Sequence, residues 1–354
     1  MEVPSARPLG VGVLGPGRAA QAIHIPALAE LGERFRVVHV AGPDAAVAAS
    51  VAASVGARHS VTEADLLADP AVEVVAICSP LEFHAAQAAA ACAAGKRAVL
   101  CEKPFAATAA EAARIVAASA SSGTPVFAGT MHAHDPAYLA AQACWAEPAE
   151  SVRLVRSVIQ LPHNVHFEQL ATEVCTRSCA GDAPDDLAVK PEEPPAAEIL
   201  RGWILGLAVH VAPLLRRFAG GVDRVTVARL LRPYGYCVSF AAGDASVQLI
   251  GYIHDSWQPR WTFTVIGTHQ ELRVEFPPSY VRAGSAVAEL RDAAGVRRWG
   301  PFPHNAHTAI WSHIADVLAG TALPRAAGAD AAADLAVALD LASAAAPVAR
   351  WGQW

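Results

Sequence analysis

The chain has 354 residues, 53% hydrophobic, 17% charged and 6% aromatic, with a formal charge of −6. That length is comfortable for two domains and supplies a large core, much of it alanine. No long basic run appears, so binding to nucleic acid or to an anionic membrane has no electrostatic support.

In chain order, residues 10–14 form a short apolar run ending at Gly15, and a helix pattern follows over 18–31. A second run spans 35–42 and an alanine-rich helix covers about 44–55. Runs at 71–80 and 96–104 flank a helical stretch at 82–94; a helix at about 108–122 precedes a further run at 124–131. Short strands alternating with helices imply a parallel sheet with helices on both faces. Continuous apolarity fits strands buried on both sides. Residues 1–130 therefore read as one α/β domain.

The pattern changes after 130. A helix at 136–145 leads to a strand at 151–160, and the acidic, proline-rich 181–198 reads as an exposed loop. A helix at about 197–219 precedes strand candidates at 223–232, 235–242, 245–254, 260–267 and 270–276; helices at 306–319 and 329–346 finish the chain. Residues 131–354 thus read as an α+β domain with a large, mainly antiparallel open sheet, the last helix being free to pack back on the first domain. An uncovered sheet face would invite a partner subunit, giving a homodimer or homotetramer.

The seven cysteines are scattered, which suits a reducing compartment better than a disulfide framework. Cys175 and Cys179 form a C-x3-C pair without further ligands at metal-site spacing, so they read as free thiols and no metal is expected. The first ten residues hold no apolar segment behind a basic flank, and no run of 18 uninterrupted apolar residues occurs. The expectation is a soluble, cytoplasmic protein.

The first strand runs into Gly15-x-Gly17-x-x-Ala20. In a strand–loop–helix unit the first glycine makes the tight turn. The second admits a pyrophosphate, and the small third residue lets helix and strand pack closely. The helix N-terminus then faces the phosphates. This reads as a nicotinamide dinucleotide site. The acid usual at the end of the second strand is absent: Gly42 stands there, and Asp44 two residues later either reaches the ribose or caps the next helix. No Arg or Lys follows to hold a 2′-phosphate, which favours NAD over NADP; Arg18 is the one basic residue of the loop.

The stretches "GVLGPGRAAQAIHIPAL", "VAICSPLEFHAAQAAAACAAGKRAVLCEKPFA" and "GLAVHVAPLLRRF" together resemble the Gfo/Idh/MocA oxidoreductases, densely over 10–135 and more loosely beyond. The resemblance implies a Rossmann domain followed by a substrate and oligomerisation domain. It implies that Lys103 of Glu102-Lys103-Pro104 lies beside the nicotinamide and touches the substrate hydroxyl, with Glu102 positioning it. A cis bond before Pro104 would re-aim the chain. Ser79 and Pro80 match the turn that passes the adenosine side, and His84 starts a helix at the cofactor edge. Family members often carry an aspartate and a histidine four residues apart on the first long helix of the second domain. Here His210 is present, but Gly206 takes the aspartate's place.

A base is needed for the proton of an alcohol, and His210 can serve alone because an imidazole titrates near neutrality. Its plainer reading is a satisfied core histidine. His132, His134 and Asp135 could face the cleft, while His163, Asn164 and His166 sit where a strand becomes a loop. Of these, His132, His163 and Asn164 are taken as candidates for binding a polar substrate. Three functions stay open. The first is hydride transfer between NAD(P) and a secondary alcohol or ketone of a sugar, cyclitol or similar metabolite. The second is nicotinamide-dependent elimination with no net redox change. The third is a nucleotide-sensing protein whose catalysis has decayed.

Overall fold

The computed structural model describes residues 7–164, 166–167, 174–176, 194–254 and 258–352. Six short apolar strands, β1 (Leu9–Leu14), β2 (Phe35–Ala41), β3 (Arg58–Ser60), β4 (Val74–Ile77), β5 (Ala98–Cys101) and β6 (Val126–Ala128), form an all-parallel sheet in the order β3-β2-β1-β4-β5-β6. Chain order reverses beside β1, so a crevice opens at the carboxyl ends of β1 and β4.

The connecting helices start and stop on local signals. Helix α1 (Ile25–Glu30) follows a π-helical turn at Ala20–His24; α2 (Ala45–Val55) is capped by Asp44 and stopped by Gly56 at φ 66. Helix α3 (Glu63–Ala68) is capped by Thr62, and α4 (His84–Ala93) follows a 3-10 turn. Helix α5 (Ala109–Ser122) opens with a Thr108/Glu111 capping box. Neither β3 nor α3 was legible in the sequence. β3 has three residues and no buried position, so it lacks an apolar pattern.

The second sheet has nine strands. Helix α6 (Pro136–Gln142) precedes β7 (Leu154–Leu161). Helix α7 (Ala196–Gly206), a 3-10 turn (Ala208–Val211) and α8 (Ala212–Ala219) occupy the span read as one helix. Then come β8 (Arg224–Leu231), β9 (Tyr234–Ala242), β10 (Ala245–Ile253), β11 (Arg260–Ile266), β12 (Glu271–Glu275), β13 (Val287–Asp292) and β14 (Gly295–Trp299). Helices α9 (Ala306–Leu318) and α10 (Ala329–Ala345) and the short β15 (Ala349–Trp351) complete the chain. The order is β14-β13-β12-β11-β7-β10-β9-β8-β15. Among the described residues of this sheet, only β7/β10 and β8/β15 pair in parallel. Strands β13, β14 and β15 went unrecognised; β14 is "GVRRW", a charged and largely exposed edge, the usual way an edge strand avoids unwanted pairing. Residues 181–193 of the expected acidic loop, and Cys179, lie outside the described residues.

Helices α7, α8 and α10 pack on one face of this sheet. The opposite face presents Arg156, Val158, Gln160, Gln248 and Thr262, half-buried or exposed. Helix α10 also packs against α5, and the chain before it pairs with β6 through Phe127 and Ala327. It is long and apolar enough to cross a membrane by composition, but Leu335, Ala338, Leu341 and Ala345 are buried within the fold and Arg216 holds Asp334 at 2.5 Å; it is a core helix. Helix α9 is tied to the first domain by Arg34–Asp316 at 2.5 Å and Thr308 to Glu30 at 2.8 Å.

Candidate functional site

Strand β1 ends at Gly15, whose φ of 80 and place against Ser79 leave no room for a side chain: a Cβ would lie 2.6 Å from the Ser79 backbone. Gly17 has nothing within 4 Å of a Cβ, so this side of the loop is open to a ligand. A cradle that is tight on the sheet side and bare on the outer side fits a pyrophosphate. At Gly42 a Cβ would meet the Pro16 ring at 2.5 Å, which accounts for the missing acid. Asp44 accepts the N–H of Ala46 and of Val47 at 3.0 and 3.1 Å, the capping alternative. Arg18 and Pro80 are exposed at the rim.

Pro26 has no N–H for the carbonyl four residues back, and the N–H of Ile25 reaches the Ala20 carbonyl five residues back. The π turn carries two buried polar side chains, Gln21 and His24. The Gln21 amide donates to the Pro16 carbonyl at 2.7 Å and to the Cys175 carbonyl at 2.8 Å, and accepts the Cys175 N–H at 2.8 Å. His24 Nε2 lies 2.8 Å from Glu102 Oε1.

Glu102 and Lys103 leave the carboxyl end of β5. The Lys103–Pro104 bond is cis. The Glu102 carboxylate is buried; Oε2 takes the Lys103 N–H at 3.0 Å, and a Cβ on Gly129 would approach Oε1 to 2.9 Å. Burial works against its ionisation, but the His24 hydrogen bond and neighbouring positive charge hold the carboxyl down at about 2. The Lys103 ammonium donates to the Gly206 carbonyl at 3.2 Å; burial pulls its pKa below the usual lysine range, and Glu102 pushes it back in part. His84 stands between two carbonyls, Nδ1 2.8 Å from Pro104 and Nε2 2.9 Å from Ser79, and so joins the two loops at the crevice.

His210 lies on the 3-10 turn after α7, 7% exposed. Its Nδ1 is 3.1 Å from Met131 Sδ; a thioether only accepts, so Nδ1 carries the proton and Nε2 the lone pair. Burial first, then the Lys103 charge and the imidazoles of His132 and His307, hold its pKa well below the usual imidazole range. A cleft of about 220 Å³ brings Lys103, His210, Glu102, Ser79, His84 and Asn164 to one wall system.

Two residues expected to bind substrate, His132 and His163, are not among those lining this cleft. His132 is 2% exposed, stacked on Phe276 with ring centres 3.8 Å apart, and hydrogen-bonds the His210 backbone; it supports the cleft from behind rather than lining it. His163 packs edge-on against Tyr234, away from the cleft lining. His134 is buried, Asp135 caps α6 and takes the Ala286 N–H, and His166 is exposed. The sequence reading missed His24, Met131, His307, Ser279 and Tyr280. His307 and Trp311, four apart in an apolar helix, were the available signal for one of them.

A family model described as an oxidoreductase family with an NAD-binding Rossmann fold matches residues 9–130. Inositol 2-dehydrogenase 1 of Saccharopolyspora erythraea is 41% identical over 132 residues, which cover 36% of this chain and 39% of that relative. The chain thus aligns with about two fifths of that relative's length. Over nearly the whole chain, UDP-N-acetylglucosamine 3-dehydrogenase GnnA from Acidithiobacillus ferrooxidans has a similar fold (TM-score 0.71, 17% identity, 98% of this chain and 100% of that one). So has the WlbA dehydrogenase of Bordetella pertussis, solved with NADH and UDP-GlcNAcA (TM-score 0.70, 18% identity, 96% of each chain). The glycine loop, the reversed strand order and the Glu-Lys-Pro turn agree with that match, and residues 9–130 are similar to the NAD-binding Rossmann fold of the Gfo/Idh/MocA oxidoreductases.

Proposed function

We propose that the protein is an NAD(P)-dependent oxidoreductase acting on a secondary alcohol or ketone of a sugar, cyclitol or related polar metabolite. The observation that carries this reading is the convergence of Lys103 and His210 on one cleft beside the glycine loop. Gly15, Gly17, Ala20 and Ser79 would hold the dinucleotide, which supplies a hydride acceptor or donor at its nicotinamide. The Lys103 ammonium binds and polarises the substrate oxygen. The neutral His210 takes the hydroxyl proton at Nε2 in oxidation and returns it in reduction, with Nδ1 anchored on Met131. Asn164 and Ser279 line the same cleft and offer hydrogen bonds to substrate hydroxyls. NAD is favoured over NADP because no basic residue follows β2 closely. A cytoplasmic homodimer or homotetramer joined through the open face of the second sheet completes the reading.

The test is turnover of a panel of polyols and keto sugars by wild type and by Lys103→Ala, with nucleotide affinity measured in parallel. The expected result is a loss of about a thousandfold or more in kcat with nucleotide Kd changed only a few-fold. Normal turnover in Lys103→Ala would overturn the reading. Product formed with no change in nicotinamide absorbance would favour elimination instead, which the absence of a carboxylate at Gly206 makes worth measuring.

A further inference from the structure

We infer that helix α9 sets the geometry of the Glu-Lys-Pro turn through His24, with Trp311 as a positioning residue for Lys103. This rests on the catalytic reading of Lys103 above.

His307 and Trp311 are four residues apart on α9 and so share a face. Both rings meet His24 edge-on, at 6.0 Å between centres and interplanar angles of 87° and 82°. The Trp311 indole N–H donates to His24 Nδ1 at 3.2 Å. An indole N–H can only donate, so His24 Nδ1 holds a lone pair and its proton sits on Nε2. That proton is given to Glu102 Oε1 at 2.8 Å, and Glu102 Oε2 takes the Lys103 N–H at 3.0 Å. Four residues from three separate parts of the chain thus form one directed run of hydrogen bonds, ending on the backbone of the lysine that enters the cleft.

The run is dry. Trp311 is 0% exposed and His24 1%, so water cannot replace the indole donor at His24; Glu102, 8% exposed, is where the run meets the cleft. In such surroundings an unmade hydrogen bond is costly and a made one is orienting. The groups facing Glu102 are His24 from the π turn, Lys103 beside it, His307 from α9, and the thiols of Cys78 and Cys101 at the ends of β4 and β5. Only His24 and the Lys103 backbone donate to the carboxylate among the described hydrogen bonds. Without Trp311 the His24 ring can turn or take the other tautomer, and Glu102 loses its fixed donor.

The experiment compares wild type, Trp311→Phe, His24→Gln and His24→Leu in three readouts: kcat and KM for the best alcohol, the pH dependence of kcat from pH 4.5 to 8, and the ¹³C carboxyl shift of Glu102, assigned by Glu102→Gln. For Trp311→Phe, kcat should fall about tenfold with KM and nucleotide Kd within about threefold. At pH 7, where the protein is folded, the Glu102 ¹³C carboxyl resonance should move away from its wild-type position, because its fixed donor is lost. His24→Leu should lose about a hundredfold, and His24→Gln, whose amide still donates, should recover most of it. An unchanged carboxyl resonance at pH 7, or an unchanged kcat, in Trp311→Phe overturns the inference. If His24→Leu does not fold, Trp311→Phe and His24→Gln decide alone. If the wild type turns over no alcohol, the functional reading fails, while the carboxyl resonance at pH 7 still upholds or overturns the Trp311–His24–Glu102 connection.

Discussion

The ammonium of Lys103 donates to the backbone carbonyl of Gly206 at 3.2 Å. A peptide dipole therefore stands where the family resemblance places a carboxylate, and it stabilises the charged lysine less than an ion would. Gly206 is the last residue of α7, exposed, with nothing within 4 Å of a Cβ, so an aspartate fits there without strain. Gly206→Asp should raise the Lys103 pKa and move the alkaline limb of the pH–rate profile upward, with Tm changed by less than about 2 °C. An alkaline limb that stays in place would show that Lys103 does not set it.

The two loop glycines should fail in different ways. At Gly15 any Cβ meets the Ser79 backbone and the φ of 80 is itself unfavourable, so Gly15→Ala should cost about 1–3 kcal/mol of stability and abolish nucleotide binding. At Gly17 the fold leaves open space, so Gly17→Ala should hold Tm within about 1 °C yet weaken nucleotide affinity about tenfold or more. Thermal unfolding and nucleotide titration of both variants separate the structural role from the ligand role.

Acid should unfold the protein early. His132, His134, His210 and His307 are all buried, and burial lowers the pKa of each below the ordinary imidazole value. Below about pH 6.5 the unfolded chain binds protons that the native state refuses, so stability falls with falling pH by up to about 1.4 kcal/mol per unit for each histidine. Glu102, depressed from the ordinary 4.5 to about 2, adds to this fall below about pH 4.5, where the unfolded carboxylate takes up a proton that the native one refuses, and its contribution is gone near 2. Asp334 acts in the opposite sense: its carboxyl is raised to about 6 by burial against the pull of Arg216, so it favours the native state at low pH and loses that contribution as pH rises through 6. Asp135, also raised by burial, acts in the same sense as Asp334, and His313, lowered by burial, joins the other four; with five histidines against two carboxyls, the histidines win. His134→Phe tests this, since both ring nitrogens lack a partner among the described residues. Denaturant unfolding at pH 5 and 7.5 should show a gain of about 1 kcal/mol or more at pH 5 and a shallower pH slope.

Which parts of this molecule were legible in its amino-acid order follows from the range of the forces involved. The alternation of short apolar runs with helices, the Gly15–Ala20 loop, the cap at Asp44 as one of two alternatives, and the Glu-Lys-Pro turn are local signals, each spelled within a few residues. The two-sheet architecture and the candidate pair Lys103 and His210 follow from them and from the family resemblance. Other features are not spelled locally at all. Glu102 meets His24 across 78 positions, His210 takes Met131 as its partner across 79, and Trp311 reaches His24 across 287. The short, charged β14 pairs only because β13 lies beside it. His132 carries the same chemistry as His210 in one dimension, and only the stacking of its ring on Phe276 withdraws it from the cleft. Backbone preference and hydrophobic period act over one or two turns and so can be read along the chain. Side-chain direction, tautomer and exclusion of water are set by whichever distant elements pack together, and only the folded molecule decides them.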